Sequence, residues 1–326
     1  MSISHRIVIF LIAATLLSAC SMKSYPPIQE NVSIAATVNI KDKSITFIDI
    51  DSQEKLAEWE MEKPYTGAVI LPDKDTILLY GKHVETADLY SLKMGKLIDT
   101  WETGEGIING KMLQTNAEIA LVDQNLDKIR FFNIDGEEQW QMSTERDPLT
   151  ILEAEKSKHL FVLSFNREKL TVIDLDKKEK LNGYPIHPSA AGAWLNENLN
   201  EIWIGGHGSG AEIEKDIHVY DSLSGQFKRK IPAPSMPVNF LGINNQVFVL
   251  SHGTSMLYKL DEMGEVINSV IIGANPFDCV YINGQLLIAG YDSNDLHIVN
   301  PETLEIIKTI PVGSGPFQIV LRERKS

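Results

Sequence analysis

The sequence contains only two cysteines in 326 residues, Cys20 and Cys279. This scarcity excludes the disulfide framework that stabilises many small secreted domains. Stability must come from a hydrophobic core, and a chain of this length with 43% hydrophobic residues can bury a large one. Cys279 lies in the run Phe277-Asp278-Cys279-Val280-Tyr281, which is typical of a buried strand, so we expect it to pack in the core.

Basic residues are also scarce, since 30 Lys and Arg residues stand against 44 Asp and Glu residues and leave a net charge of −14. The densest interior basic cluster is Lys228-Arg229-Lys230, and a second group lies at the tail. A surface this acidic repels phosphate backbones. We therefore predict that the protein does not bind nucleic acid.

The motifs of common catalytic sites are absent. The sequence has no Gly-x-x-x-x-Gly-Lys loop, His-Glu-x-x-His helix, Cys-x-x-Cys-His haem attachment or Gly-x-Ser-x-Gly elbow. No spacing specifies three metal-ligating side chains, although His207 and His252 hold matching places in neighbouring repeats. We predict no metal and no cofactor. Propeller enzymes draw their site residues from separate blades, so an enzyme remains an alternative.

The first twenty residues carry an export signal. Arg6 precedes the apolar run Ile7 to Leu17, which ends in Leu17-Ser18-Ala19-Cys20. The run is shorter than the roughly 20 apolar residues that a membrane span needs. Residues 17–20 resemble the lipobox of bacterial lipoproteins, in which the cysteine is acylated and becomes the new amino terminus. An ordinary secretory signal with an incidental cysteine is the alternative.

This resemblance implies a signal peptide over residues 1–19, lipidation at Cys20 and an extracytoplasmic protein held at the bacterial membrane by its lipid. Residues 20–30 are polar and include Pro26-Pro27. We predict that they form a spacer between the lipid and a domain spanning residues 31–326.

The rest of the chain repeats itself about every 40 residues, a period typical of propellers and solenoids. A hydrophobic strand ending in a turn-forming residue recurs seven times, at residues 47–49, 89–91, 131–133, 172–174, 219–221, 257–259 and 298–300. Around each copy lie four short hydrophobic runs bounded by Gly, Pro, Asn or Ser, and no long amphipathic helix is evident. The pattern predicts an all-β, seven-bladed β-propeller with four antiparallel strands per blade.

The two ends of the domain complete each other. Residues 316–321 form one inner strand without partners, whereas residues 32–38, 45–49 and 56–61 form three strands of a blade that lacks its first. We predict that the C-terminal strand joins the three N-terminal strands and closes the ring.

Two segments resemble the YVTN-type β-propeller family, namely residues 309–319 and residues 271–282 with Asn275-Pro276, and Leu170 to Asp174 supplies the strand ending in Asp. The resemblance implies an exported protein that binds partners or ligands at one face of the ring.

The loops after second strands and between blades are the predicted binding rim. The register of the repeats places there His83, Phe165, His187, His207, Ser209, His252, Tyr291 and Asp292. His207 and Ser209 belong to a glycine-rich insertion over residues 206–215, and loops of this kind often carry function.

We therefore predict a monomeric, membrane-anchored binding protein or interaction scaffold rather than an enzyme. Its partner would be an envelope protein or a small ligand at one propeller face. The alternative is an envelope enzyme, lactonase-like or dehydrogenase-like, that uses rim residues.

Overall fold

The computed structural model describes residues 23–165, 167–209 and 212–324. The predicted signal peptide and Cys20 lie outside these ranges. Within them every regular element is a β-strand. The described residues include no helix of the length and apolarity that a membrane crossing requires.

The strands of the described ranges are numbered in chain order. The first fourteen are β1 (Ile34–Asn39), β2 (Ser44–Asp49), β3 (Glu54–Glu60), β4 (Gly67–Ile70), β5 (Thr76–Tyr80), β6 (Thr86–Ser91), β7 (Lys96–Glu102), β8 (Ile107–Met112), β9 (Ile119–Asp123), β10 (Lys128–Phe132), β11 (Glu138–Ser143), β12 (Pro148–Ala154), β13 (His159–Ser164) and β14 (Lys169–Asp174). The others are β15 (Glu179–Pro185), β16 (Ala190–Asn196), β17 (Glu201–Gly206), β18 (Asp216–Asp221), β19 (Phe227–Pro232), β20 (Pro237–Ile243), β21 (Gln246–Ser251), β22 (Met256–Asp261), β23 (Val266–Ile271), β24 (Pro276–Ile282), β25 (Gln285–Gly290), β26 (Asp295–Val299), β27 (Ile306–Pro311) and β28 (Pro316–Arg322).

These strands form seven four-stranded antiparallel blades across the described residues, as predicted. Six blades are consecutive in sequence, from β4–β7 to β24–β27, and the seventh combines β28 with β1, β2 and β3. The inner strands contact one another in the order β28, β4, β8, β12, β16, β20, β24 and back to β28. The blades therefore surround a central channel.

The predicted closure of the ring is confirmed. Strand β28 pairs antiparallel with β1, so that Ile34 faces Arg322 and Val38 faces Gln318. Arg322 is only 2% exposed, and its Nη2 donates to the carbonyl oxygens of Gln29 (2.5 Å) and Val32 (2.9 Å). The end of the chain thus binds both the first strand and the segment before it.

The repeating sequence phrase has a local physical cause. Six of the seven third strands end in Asp or are followed directly by Asn, whose side-chain oxygen accepts backbone N–H groups two to four residues later, and β6 ends in Ser91, whose hydroxyl accepts from Met94 N. Asp49 accepts from Asp51 and Ser52, and Asp174 from Asp176 and Lys177. This turn reverses the chain into the outer strand.

Part of the predicted spacer belongs to the folded domain. Tyr25 donates its backbone N–H to Gly95 O and stacks on Trp59 with ring centroids 5.0 Å apart. Ile28 is 1% exposed and donates its N–H to Leu92 O. The structure packs these two residues because they cover apolar side chains of the first two blades, whereas Pro26, Pro27 and Gln29 stay exposed.

Candidate functional site

An arc of aromatic rings lines one side of the channel mouth. Phe165, His207, His252 and Tyr291 are each the first residue after the second strand of their blade, in four consecutive blades. Their shared register brings them to one rim. Phe165 and His207 have ring centroids 6.1 Å apart, and His207 and His252 lie 5.7 Å apart.

Two phenylalanines complete this aromatic arc. Phe277 lies between His252 (5.0 Å between centroids) and Tyr291 (5.9 Å), and it packs on Phe317 at 4.1 Å. Both were missed at the sequence level. The signal was present, because each follows the proline that opens an inner strand, in Pro276-Phe277 and Pro316-Phe317.

Below the arc, polar side chains form the floor of the mouth. They occupy the third position of five inner strands, and each bonds to the backbone of the next inner strand. This polar floor consists of Asn109, Thr150, Asn239, Asp278 and Gln318. The shared register again explains the ring, because equivalent residues of equivalent strands face the channel axis.

The polar floor and four members of the arc, His207, His252, Phe277 and Phe317, line a cavity of about 480 Å³, whereas Phe165 and Tyr291 are not among its lining residues. Its walls include the apolar second residues of the inner strands, namely Ile108, Leu149, Ala191, Val238, Phe277 and Phe317. A concave site of this size with mostly apolar walls and a few convergent polar groups is typical of small-molecule binding.

The two histidines of the arc are held in their neutral form. Burial lowers the pKa of His252 to about 4, and the neighbouring His207 contributes to this shift. Burial also lowers the pKa of His207. Among the described residues, neither His252 Nε2 nor His207 Nδ1 has a hydrogen-bond partner. Both histidines line the cavity, and each has one buried ring nitrogen that is not hydrogen-bonded.

Asp278 supplies the acidic group of the floor. Its Oδ2 accepts the backbone N–H of Ile319 at 2.7 Å, and its Oδ1 accepts from Asn239 Nδ2 at 3.1 Å. Burial nevertheless raises the pKa of this carboxyl. A cation or a hydrogen-bond donor entering the cavity would lower the cost of keeping it ionised.

The remaining predicted rim residues lie elsewhere. His83 and Ser209 are exposed on their loops and do not line the cavity among the described residues. Asp292 is exposed beside the arc and accepts from Lys41 Nζ at 2.7 Å. His187 is buried away from the cavity, where it stacks on His218.

Comparison with known proteins supports the fold. No family model and no curated protein matches the sequence. Among solved structures, a functionally unknown protein from Desulfotomaculum acetoxidans is similar with a TM-score of 0.73 and 10% identity over 90% of this chain and 99% of that one. The dihydro-heme d1 dehydrogenase NirN, in complex with DHE, has a TM-score of 0.66 and 10% identity over 93% of this chain and 78% of that one.

A third similar structure is AztD from Citrobacter koseri, with a TM-score of 0.61 and 14% identity over 91% of this chain and 100% of that one. At these identities the likeness concerns the fold alone. With the blade topology of the described residues, it shows that the chain is a seven-bladed β-propeller.

Proposed function

We propose that this protein is a lipid-anchored, extracytoplasmic binding protein whose propeller holds a small planar ligand in the channel-mouth cavity. The observation that carries the proposal is the aromatic arc above the polar floor. Face-to-face and edge-to-face contacts with aromatic rings favour a planar molecule. The resemblance of residues 309–319 to YVTN-type repeats agrees with an exported propeller that binds at one face.

The electrostatics restrict the ligand further. Asp278 and the neutral side chains of His207 and His252 line the cavity, and the whole chain carries a net charge of −14. Anions are therefore disfavoured. The site fits an uncharged or cationic aromatic heterocycle whose ring N–H groups can bond the floor.

A cavity-filling substitution tests this proposal. Ala191→Trp places a large ring inside the cavity, whereas Ile271→Trp places the same ring on an outer strand at a position that is 71% exposed. We expect the fluorescence of Nile red, a neutral planar probe, to rise saturably with the wild-type domain and with Ile271→Trp. Ala191→Trp should weaken binding at least about tenfold because the space is occupied.

Circular dichroism and melting curves establish that both variants are folded. Equal binding by Ala191→Trp and Ile271→Trp would show that the probe does not occupy the cavity. Absence of saturable binding to the wild-type domain would overturn the proposed site.

Lipid anchoring has its own test in the only two cysteines of the chain. Cys20→Ser should abolish labelling by a palmitate analogue and release the protein from the membrane fraction. Cys279→Ser is the matched control, because Cys279 is buried in the propeller and should not receive lipid. Continued membrane retention of Cys20→Ser at the wild-type level would contradict the anchoring.

A further inference from the structure

A second cluster of polar side chains lies beside blade β16–β19, outside the cavity. His187 comes from the loop between β15 and β16, Glu214 ends the glycine-rich insertion, and His218 lies on β18. Glu214 Oε2 lies 3.3 Å from His218 Nε2 and 3.9 Å from His187 Nε2. Three potential ligand atoms of these residues lie within 4.8 Å of one another.

Ring nitrogens of this cluster are poorly paired in the described structure. The side chain of His187 is 6% exposed, and neither of its ring nitrogens is hydrogen-bonded. His218 Nε2 meets Glu214 Oε2 at 3.3 Å and has no other partner among the described residues. Buried polar atoms without partners are costly, so these ring nitrogens favour a ligand that can pair with them.

The carboxylate is held in place for a ligand by the backbone. Glu214 Oε1 accepts the N–H groups of Lys215 (3.0 Å) and Asp216 (2.9 Å), which leaves Oε2 turned toward the two rings. Both rings are buried, with His187 and His218 each 8% exposed, and burial disfavours the charged imidazolium. A neutral imidazole is the form that coordinates metal ions.

We propose that His187, Glu214 and His218 form a binding site for a divalent transition metal ion of the Zn²⁺ class, with water as a fourth ligand. Two imidazoles and one carboxylate are a known zinc donor set. Bond lengths of about 2.1 Å in a tetrahedron place donor atoms roughly 3.4 Å apart, close to the 3.3 and 3.9 Å separations observed here. Mg²⁺ and Ca²⁺ prefer oxygen ligands and would bind poorly.

Two features of this cluster raise the free-energy cost of binding a metal ion. The rings of His187 and His218 are stacked, with centroids 3.8 Å apart and an interplanar angle of 12°, so they must tilt to direct both lone pairs at one ion. Lys230 adds a nearby positive charge, as its effect on both histidine pKa values shows. That charge is paired with Asp216 Oδ2 at 2.9 Å.

The metal site would stabilise the loop at the channel mouth. Glu214 donates its N–H to the carbonyl of His207 at 3.3 Å, and Gly208 forms a bridge with Ile213. The insertion therefore connects the metal site at one end to the aromatic arc at the other. An ion bound to Glu214 would restrict the loop that carries His207.

Calorimetric titration of the untagged domain with Zn²⁺ alone at neutral pH tests the proposal. We expect about one equivalent to bind the wild type, and His218→Gln and Glu214→Gln to weaken binding at least about a hundredfold. His159→Gln, on β13, is the matched control and should bind like the wild type. Mg²⁺ should give no comparable signal, and Co²⁺ should give the intense visible absorption of a four-coordinate site.

The proposal fails if the wild type binds no Zn²⁺ near one equivalent, or if His218→Gln binds as tightly as His159→Gln. Circular dichroism of His218→Gln and Glu214→Gln shows whether each variant is folded, so that loss of a metal ligand can be distinguished from loss of the fold. Ala191→Trp should weaken Nile red binding and retain Zn²⁺ binding, so a failure of the metal site and a failure of the cavity proposal can be distinguished.

Discussion

Arg322→Met removes the contact by which the end of the chain holds its beginning. The guanidinium donates to two carbonyl oxygens, on Gln29 and Val32, and such charge-assisted bonds contribute about 1.5–3 kcal/mol each. Arg322 Nε and Nη1 have no partner among the described residues, and burial lowers the pKa of Arg322 although Asp75 and Glu30 oppose this shift. Because the substitution also removes a poorly compensated buried charge, part of the free energy lost with the two hydrogen bonds is regained.

The net destabilisation expected from Arg322→Met is about 2–3 kcal/mol. For a domain of about 300 residues it corresponds to a decrease in Tm of about 3–5 °C. Thermal unfolding followed by circular dichroism measures the effect, with Arg324→Met as the matched control because Arg324 is exposed. A Tm for Arg322→Met that equals that of Arg324→Met would refute the role of this contact in ring closure.

Three further results are expected. Deletion of residues 316–326 removes the partner strand of β1, so the truncated protein should aggregate or lose its cooperative melt, and a wild-type melting curve would contradict the closure of the ring. Gln318→Ala leaves the Ala68 N–H without its acceptor and should cost about 1–3 kcal/mol in urea unfolding, whereas Gln141→Ala on an outer strand should cost little. The pKa of His252 is about 4 in the folded protein and 6.5 in the unfolded chain, so the free energy of unfolding should be largest above pH 6.5 and fall toward pH 4, by on the order of 3 kcal/mol. His252→Gln should flatten this part of the stability profile against pH. An unchanged profile in His252→Gln would exclude the effect.

The fold could be predicted from the sequence because a propeller is built mostly from contacts between strands that are neighbours in the chain. Each strand pairs with its neighbour in the chain, so alternation of short hydrophobic runs and turn residues specifies the blade. The predicted strand at residues 216–221 matches β18, and the predicted C-terminal strand differs from β28 by one residue. The one long-range pairing, between β28 and β1, was predictable because both fragments were incomplete blades.

Part of the candidate site followed from the same register. Phe165, His207, His252 and Tyr291 hold equivalent positions after second strands, and the ring brings equivalent positions together. Phe277 was not predicted because the binding rim was assigned to loops, whereas Phe277 lies at the start of an inner strand. The polar floor was missed for the same reason.

The sequence by itself determined the number of blades, the closing strand and the loops at the channel mouth, because these depend on a period that is visible along the chain. Only the tertiary structure decided how the irregular segments lie. The insertion over residues 206–215 breaks the register, so no spacing indicates that Glu214 folds back onto His187 and His218. The packing of Tyr25 on Trp59 is likewise decided by which apolar surface the blades leave uncovered, and this surface exists only after the ring has formed.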